Sequence, residues 1–151
     1  MSEILVQRAE FVRASDKGAV AVWVRSEDLP LISREDGRKF HRLFRRELGL
    51  KAANRLLKLH MSMVNHHPRS THDYLFLLAV RPHFQRAGIG AQLMAQHLVR
   101  SDRMGRCCFL ETSDSANLTF YAHFGFEVID RYVINGTSPP TWAMWRRAKA
   151  G

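Results

Sequence analysis

The residues of this 151-residue chain best suited to chemistry are two glycines and their neighbours. The stretch Gln85-Arg86-Ala87-Gly88-Ile89-Gly90 follows a continuous apolar run from Tyr74 to Val80. It precedes a segment in which Ala91, Met94, Ala95 and Leu98 recur at helical spacing. A strand–loop–helix junction of this kind puts glycines at the mouth of a helix. Without a Cβ, backbone N–H groups approach an anion closely. The helix start adds orphan donors and the positive end of its dipole. The combination suits phosphate, and Arg86 adds a charge. Two better-known phosphate loops do not fit. A Walker loop needs Lys-Ser or Lys-Thr, and neither dipeptide occurs. A dinucleotide fingerprint needs a third glycine where Leu93 stands. Taken alone, the two glycines leave a plain strand-to-helix turn open.

Other reactive residue types give less. Cys107 and Cys108 are adjacent, so on a strand they point to opposite faces and are poorly placed to pair with each other. No Cys/His spacing suits zinc, and His60, His66 and His67 do not form a ligand pattern. The cysteines read as reduced core and near-core residues in a reducing compartment. His72 and Asp73 stand at the start of the apolar run, where solvation of a strand end is the expected role.

The elements that must position the glycine loop follow from periodicity and turn signals. Residues 4–14 and 18–25 read as two strands joined through Ser15-Asp16-Lys17-Gly18, a hairpin ended by Leu29-Pro30. Arg34 to Leu48 and Leu50 to about Val64 read as helices separated by Gly49, with His66 to Ser70 a loop. Tyr74 to Val80 is predicted to be a strand buried on both faces. A helix from Ala91 to about Met104 follows, then a strand from Cys107 to Glu111. Asp114 or Ser115 is suited to cap a short helix reaching Phe124. Strands are predicted over 126–134 and 142–146, with a turn at 135–140 between them. The sum is α/β: one domain over residues 1–151, a mixed central sheet flanked by helices.

Composition narrows the function classes. The apolar fraction of 46% fits a globular domain with a core. No apolar run reaches the ~20 residues of a membrane helix. Arg8, Glu10 and Arg13 interrupt any signal-peptide core, so the cytoplasm is the expected location and no membrane partner is expected. Lys plus Arg total 23 against 14 Asp plus Glu, a formal charge of +9, which favours anionic ligands. The denser basic groups, 42–46 and 146–149, read as solvated faces. With no recognition motif or aromatic platform, nucleic acid is not the favoured partner.

The Gln85–Gly90 stretch resembles the Gln/Arg-x-x-Gly-x-Gly/Ala motif of the GNAT acyltransferase superfamily, and stands after a strand as it does there. Residues 110–126, Leu-Glu-Thr-Ser-Asp-Ser-Ala-Asn-Leu-Thr-Phe-Tyr-Ala-His-Phe-Gly-Phe, resemble that family's Asn-x-x-x-Tyr…Gly-Phe segment. Leu110 to Ser113, Pro140 to Met144 and Gly18 to Trp23 are similar to the branch that includes puromycin N-acetyltransferase.

The resemblance implies a GNAT fold and an N-acetyltransferase that passes an acetyl group from acetyl-CoA, its cosubstrate, directly to the primary amine of a small molecule or protein. It places Leu78, Val80, Gln85, Arg86, Ala87, Gly88, Ile89, Gly90, Ala91 and Asn117 against the cofactor. The Val80 N–H would hold the oxyanion. Tyr121 would be the general acid, with Asn117 one turn earlier on the same face. Glu111 would be a candidate general base, with a structural carboxylate as the equal alternative. No metal is expected. A complete member opens with a strand and two helices that help form the acceptor pocket, and this chain is expected to lack them. Such shortening makes two further outcomes natural: a CoA-binding regulatory or interaction domain without catalysis, and a homodimer that covers exposed sheet edge.

Overall fold

The computed structural model describes residues 9–13, 18–29, 34–134 and 138–149. Residues 4–8 of the first expected strand, the Ser15-Asp16-Lys17 turn, Pro30 and residues 135–137 lie outside them. The element order is β1 (Ala9–Arg13), β2 (Ala19–Arg25), α1 (Arg34–Leu48), α2 (Leu50–His66), β3 (His72–Val80), α3 (Ile89–Arg103), β4 (Cys107–Thr112), α4 (Ala116–His123), β5 (Glu127–Val133) and β6 (Pro140–Arg146). The helix pair α1–α2 therefore lies between the second and third strands. The six strands form one sheet in the order β1-β2-β3-β4-β6-β5. Every neighbouring pair is antiparallel except β3–β4, which is parallel and needs α3 as its crossover.

Each face of the sheet has its own core. On one, Ala21, Trp23, Leu75, Cys108, Leu110 and Met144 pack against Leu93, Met94 and Leu98 of α3 and Tyr121 of α4. On the other, Tyr74, Phe109, Tyr132 and Ala143 form a smaller aromatic cluster with Trp145 against it. The end of α2 reaches this second face. His66 stacks on Tyr132 with ring centroids 3.8 Å apart, and His67 meets Tyr74 edge-on. Among the described residues no helix is long and apolar enough to cross a membrane. Both cysteines are free; Cys108 is buried, which pushes its thiol up to about 12 and keeps it protonated.

Three expectations are corrected. The apolar run of β3 is not buried on both faces throughout. It is buried from His72 to Leu75, and then Phe76 and Leu77 are exposed. The cause is topological: parallel pairing with β4 stops at Leu75–Leu110, and beyond that point the two strands part. Nor is the start of β3 solvated, since His72 and Asp73 are buried. Asp73 accepts from His97 Nε2 (3.2 Å), Ser101 Oγ (2.7 Å) and Arg106 Nε (2.6 Å), while Arg106 also grips Glu27 through both terminal nitrogens at 2.9 Å. Burial by itself raises the Asp73 carboxyl, but these donors outweigh it and hold it well below the usual carboxylate range.

The third correction concerns Arg146, expected on a solvated face. It is buried, bonds both oxygens of Asp102 at 2.7 Å, and donates through Nε to the Phe124 carbonyl at 2.8 Å. One side chain thus ties β6 to the end of α3 and the end of α4. Arg42, Arg45 and Arg46 of the other basic group are exposed as expected.

Candidate active site

The glycine loop sits where the parting strands leave an opening. Arg81 N–H donates to the Gly18 carbonyl at 2.8 Å, toward β2. Backbone groups alternate sides along a strand, so the amides of Val80 and Leu78 turn the other way, into the gap left by β4. Gln85 crosses the loop and donates to the Val80 carbonyl at 3.1 Å. Arg86 and Gly88 both take left-handed conformations, with φ of 63° and 77°. For Arg86 this is a strained backbone, tolerable where a loop is shaped for a ligand. Gln92 N–H makes the first bond of α3, to the Gly88 carbonyl at 3.0 Å. The amides of Ile89, Gly90 and Ala91 have no acceptor among the described residues, as the first turn of a helix requires.

Gly90 faces the strand. A Cβ there would come within 3.4 Å of Val80 Cγ2 and 3.9 Å of Phe120 Cζ, so loop, strand end and α4 converge on one point. Orphan donors, a helix dipole and an open strand edge together fit a phosphate-bearing group with an extended arm. Ile89, Gly90 and Ala91 offer the donors at the helix mouth, and the Val80 and Leu78 amides offer those along the strand edge.

The α4 helix brings the next two residues. Asp114 Oδ1 accepts the Ala116 N–H at 2.9 Å and caps it, whereas Ser115 already has helical dihedral angles. Asn117 is exposed in the first turn. Tyr121 is 9% exposed, held edge-on by Phe120 and Phe126, and its hydroxyl has no partner among the described residues. Burial raises its pKa, so the phenol stays a proton donor.

Glu111 stands on the opposite face, immediately past the last paired residues of β3 and β4. Tyr74 donates to its Oε2 at 3.2 Å, and Tyr132 donates to its Oε1 in a short hydrogen bond. Burial raises the Glu111 pKa, opposed by the two phenols and by nearby His66. The structure therefore gathers Leu78, Val80, the 85–91 loop and α4 on one side of the strand gap, and sets Glu111 on the other. Sequence reasoning missed Tyr74, Tyr132 and His66. Tyr132 lies 21 residues from Glu111 and Tyr74 lies 37 away, and no local spacing marks a contact made through the sheet.

Residues 54–128 match the acetyltransferase (GNAT) domain. Among solved structures, a histone acetyltransferase HPA2 and related acetyltransferase from Corynebacterium glutamicum is similar over 99% of this chain and 70% of its own, with TM-score 0.66 and 19% identity. The ribosomal-protein-S18-alanine N-acetyltransferase of Escherichia coli is similar over 100% and 74%, with TM-score 0.56 and 15% identity. Arabidopsis thaliana NAA60, solved in complex with acetyl-CoA, is similar over 87% and 65%, with TM-score 0.51 and 14% identity. At these identities the likeness is one of fold. The chain carries a GNAT acetyltransferase domain, an enzyme domain whose cosubstrate is acetyl-CoA.

Proposed function

We propose that this chain transfers the acetyl group of acetyl-CoA directly to a primary amine of a small molecule or a protein, within one ternary complex. The observation that carries the reading is the gap between β3 and β4, with a protonated phenol on one side and a half-buried carboxylate on the other. Ile89, Gly90 and Ala91 receive the pyrophosphate, aided by Arg86, and Asn117 contacts the cofactor from α4. Glu111 takes a proton from the ammonium of the acceptor. The freed amine attacks the thioester carbonyl, whose oxygen gains charge against the Val80 N–H. The C–S bond then breaks, Tyr121 supplies a proton to the departing thiolate, and the surplus proton on the new amide nitrogen leaves through solvent and restores the phenol. No enzyme nucleophile takes part, which suits a protonated, buried Cys108.

The similarity of residues 110–113 to the puromycin N-acetyltransferase branch makes aminonucleosides the first acceptors to try, with protein N-termini next. A cytoplasmic setting suits two free cysteines. A homodimer has one feature in its favour: edge strand β5 exposes Val128, Ile129 and Val133.

A thiol-release assay with acetyl-CoA and a broad amine panel tests the reading. Free CoA is expected only when an acceptor is present, together with a mass gain of one acetyl group on that acceptor. A blank across the panel by a protein that binds acetyl-CoA would point instead to a regulatory CoA-binding domain.

A further inference from the structure

Given the reading of Glu111 as the base, its surroundings take on a role. We infer that Tyr74 and Tyr132 are positioning residues for Glu111, clamping its carboxylate between phenolic donors from two separate strands, and that His66 holds Tyr132 in place from α2. Each phenol takes a different oxygen, Tyr74 on Oε2 and Tyr132 on Oε1. Both tyrosines are buried, and burial together with the neighbouring carboxylate raises their pKa values well above the usual range. They therefore remain donors at any working pH. Two donors and no acceptor favour the ionised carboxylate over the carboxylic acid, because the acid must turn one proton toward an oxygen that already donates. Burial works the other way. The clamp thus limits the up-shift that burial imposes and favours the ionised state that a base needs.

The clamp is buttressed. His66 lies flat on the Tyr132 ring, with planes 4° apart, and its Nδ1 lies 2.7 Å from Asp130 on the same strand. His67 meets the Tyr74 ring edge-on with centroids 4.9 Å apart, and its Nε2 lies 3.0 Å from His72 Nε2. The titratable groups facing the clamp are therefore Tyr74 and His72 from β3, Tyr132 and Asp130 from β5, His66 from α2, and His67 just after it. His67 is held down to about 4, first by burial and then by His72, so it is neutral through the working range.

The test is the pH profile of kcat/KM for the acceptor at saturating acetyl-CoA, with Tyr132→Phe and Glu111→Gln beside the unaltered protein. Phenylalanine keeps the ring under His66 and removes only the donor. The sign follows from the clamp: losing a donor to the carboxylate raises the Glu111 pKa, so the acid limb moves to higher pH. The expected displacement is about one pH unit, the scale of a hydrogen bond to a charged group. The KM for acetyl-CoA should be unchanged. Tyr74→Phe should move the limb the same way by less, since its bond is the longer one. Glu111→Gln should lose the limb along with most of the activity. An unmoved limb in Tyr132→Phe, with Glu111→Gln inactive, overturns the clamp and leaves the base assignment standing. Full activity and an unaltered limb in Glu111→Gln overturn both.

Discussion

Tyr121→Phe is expected to lower kcat by about a hundredfold or more, while the Kd for acetyl-CoA stays within about twofold. Tyr121 is almost fully buried between Phe120 and Phe126, so phenylalanine fills the same space and the fold should hold. Only the hydroxyl is lost, and among the described residues it bonds nothing in the protein. A structural role would therefore show little effect. As proton donor to the departing thiolate it acts only in the transition state, so kcat should fall and ground-state binding should not. Because burial raises its pKa, ionisation of Tyr121 should cause no loss of activity below about pH 10. Steady-state kinetics with an independent titration of acetyl-CoA separates the two quantities. Unchanged kcat would remove Tyr121 from the chemistry.

Asp73→Ala is expected to cost about 3 kcal/mol of stability, the lower end of the range for breaking a buried ion pair. The lower end applies because Arg106 keeps Glu27, so the cation is not stranded. His97 Nε2 and Ser101 Oγ do lose their shared acceptor inside the core. At 151 residues this corresponds to a fall in Tm of about 10 °C. The pH dependence has a definite sign. Asp73 has a depressed pKa, so its contribution is full above the unfolded-state value near 4 and is lost as pH falls through the folded value. Urea melts of both proteins at pH 7 and again below pH 3 should therefore differ most at pH 7. A gap that widened in acid would contradict the assigned charge state. The network joins β3, α3 and the turn after β2, so its loss should also loosen the register of the strand that ends at Val80.

Much of this was legible in the sequence because the signals were local. Gly49, Gly88, Gly105 and Gly125 punctuate the helices, and all four have positive φ. The 3.6-residue period of Ala91 to Leu98 marked α3, which begins two residues earlier at Ile89, and of the two candidates Asp114 and Ser115 it is Asp114 that caps α4. The glycine loop pointed to an anion site, while Val80, Asn117 and Tyr121 were named through family resemblance alone. What escaped was set by pairing across the sheet. An apolar run looks alike whether a strand keeps its neighbour or leaves it, so the exposure of Phe76 and Leu77 was invisible. A charged residue at a strand end normally reads as solvated, and Asp73 is buried only because His97, Ser101 and Arg106 arrive from later elements. Arg146 hides for the same reason: its partners, Asp102 and the Phe124 carbonyl, lie on two other elements.

We expect acetyl-CoA to seat on the loop at the start of α3 with its arm in the gap between β3 and β4. Calorimetric titration of acetyl-CoA into the protein and into a Gly88→Val variant tests it most directly. Nothing lies within 4 Å of a Cβ at Gly88, so valine has room, but its φ of 77° is disfavoured for a β-branched residue. The loop should relax away from its donor-presenting shape at a cost of about 1–2 kcal/mol, which is about five- to thirtyfold in Kd. Saturable binding to one site is expected, weakened by that factor in the variant. Absence of saturable binding at millimolar acetyl-CoA, or equal affinity in the two proteins, would contradict it.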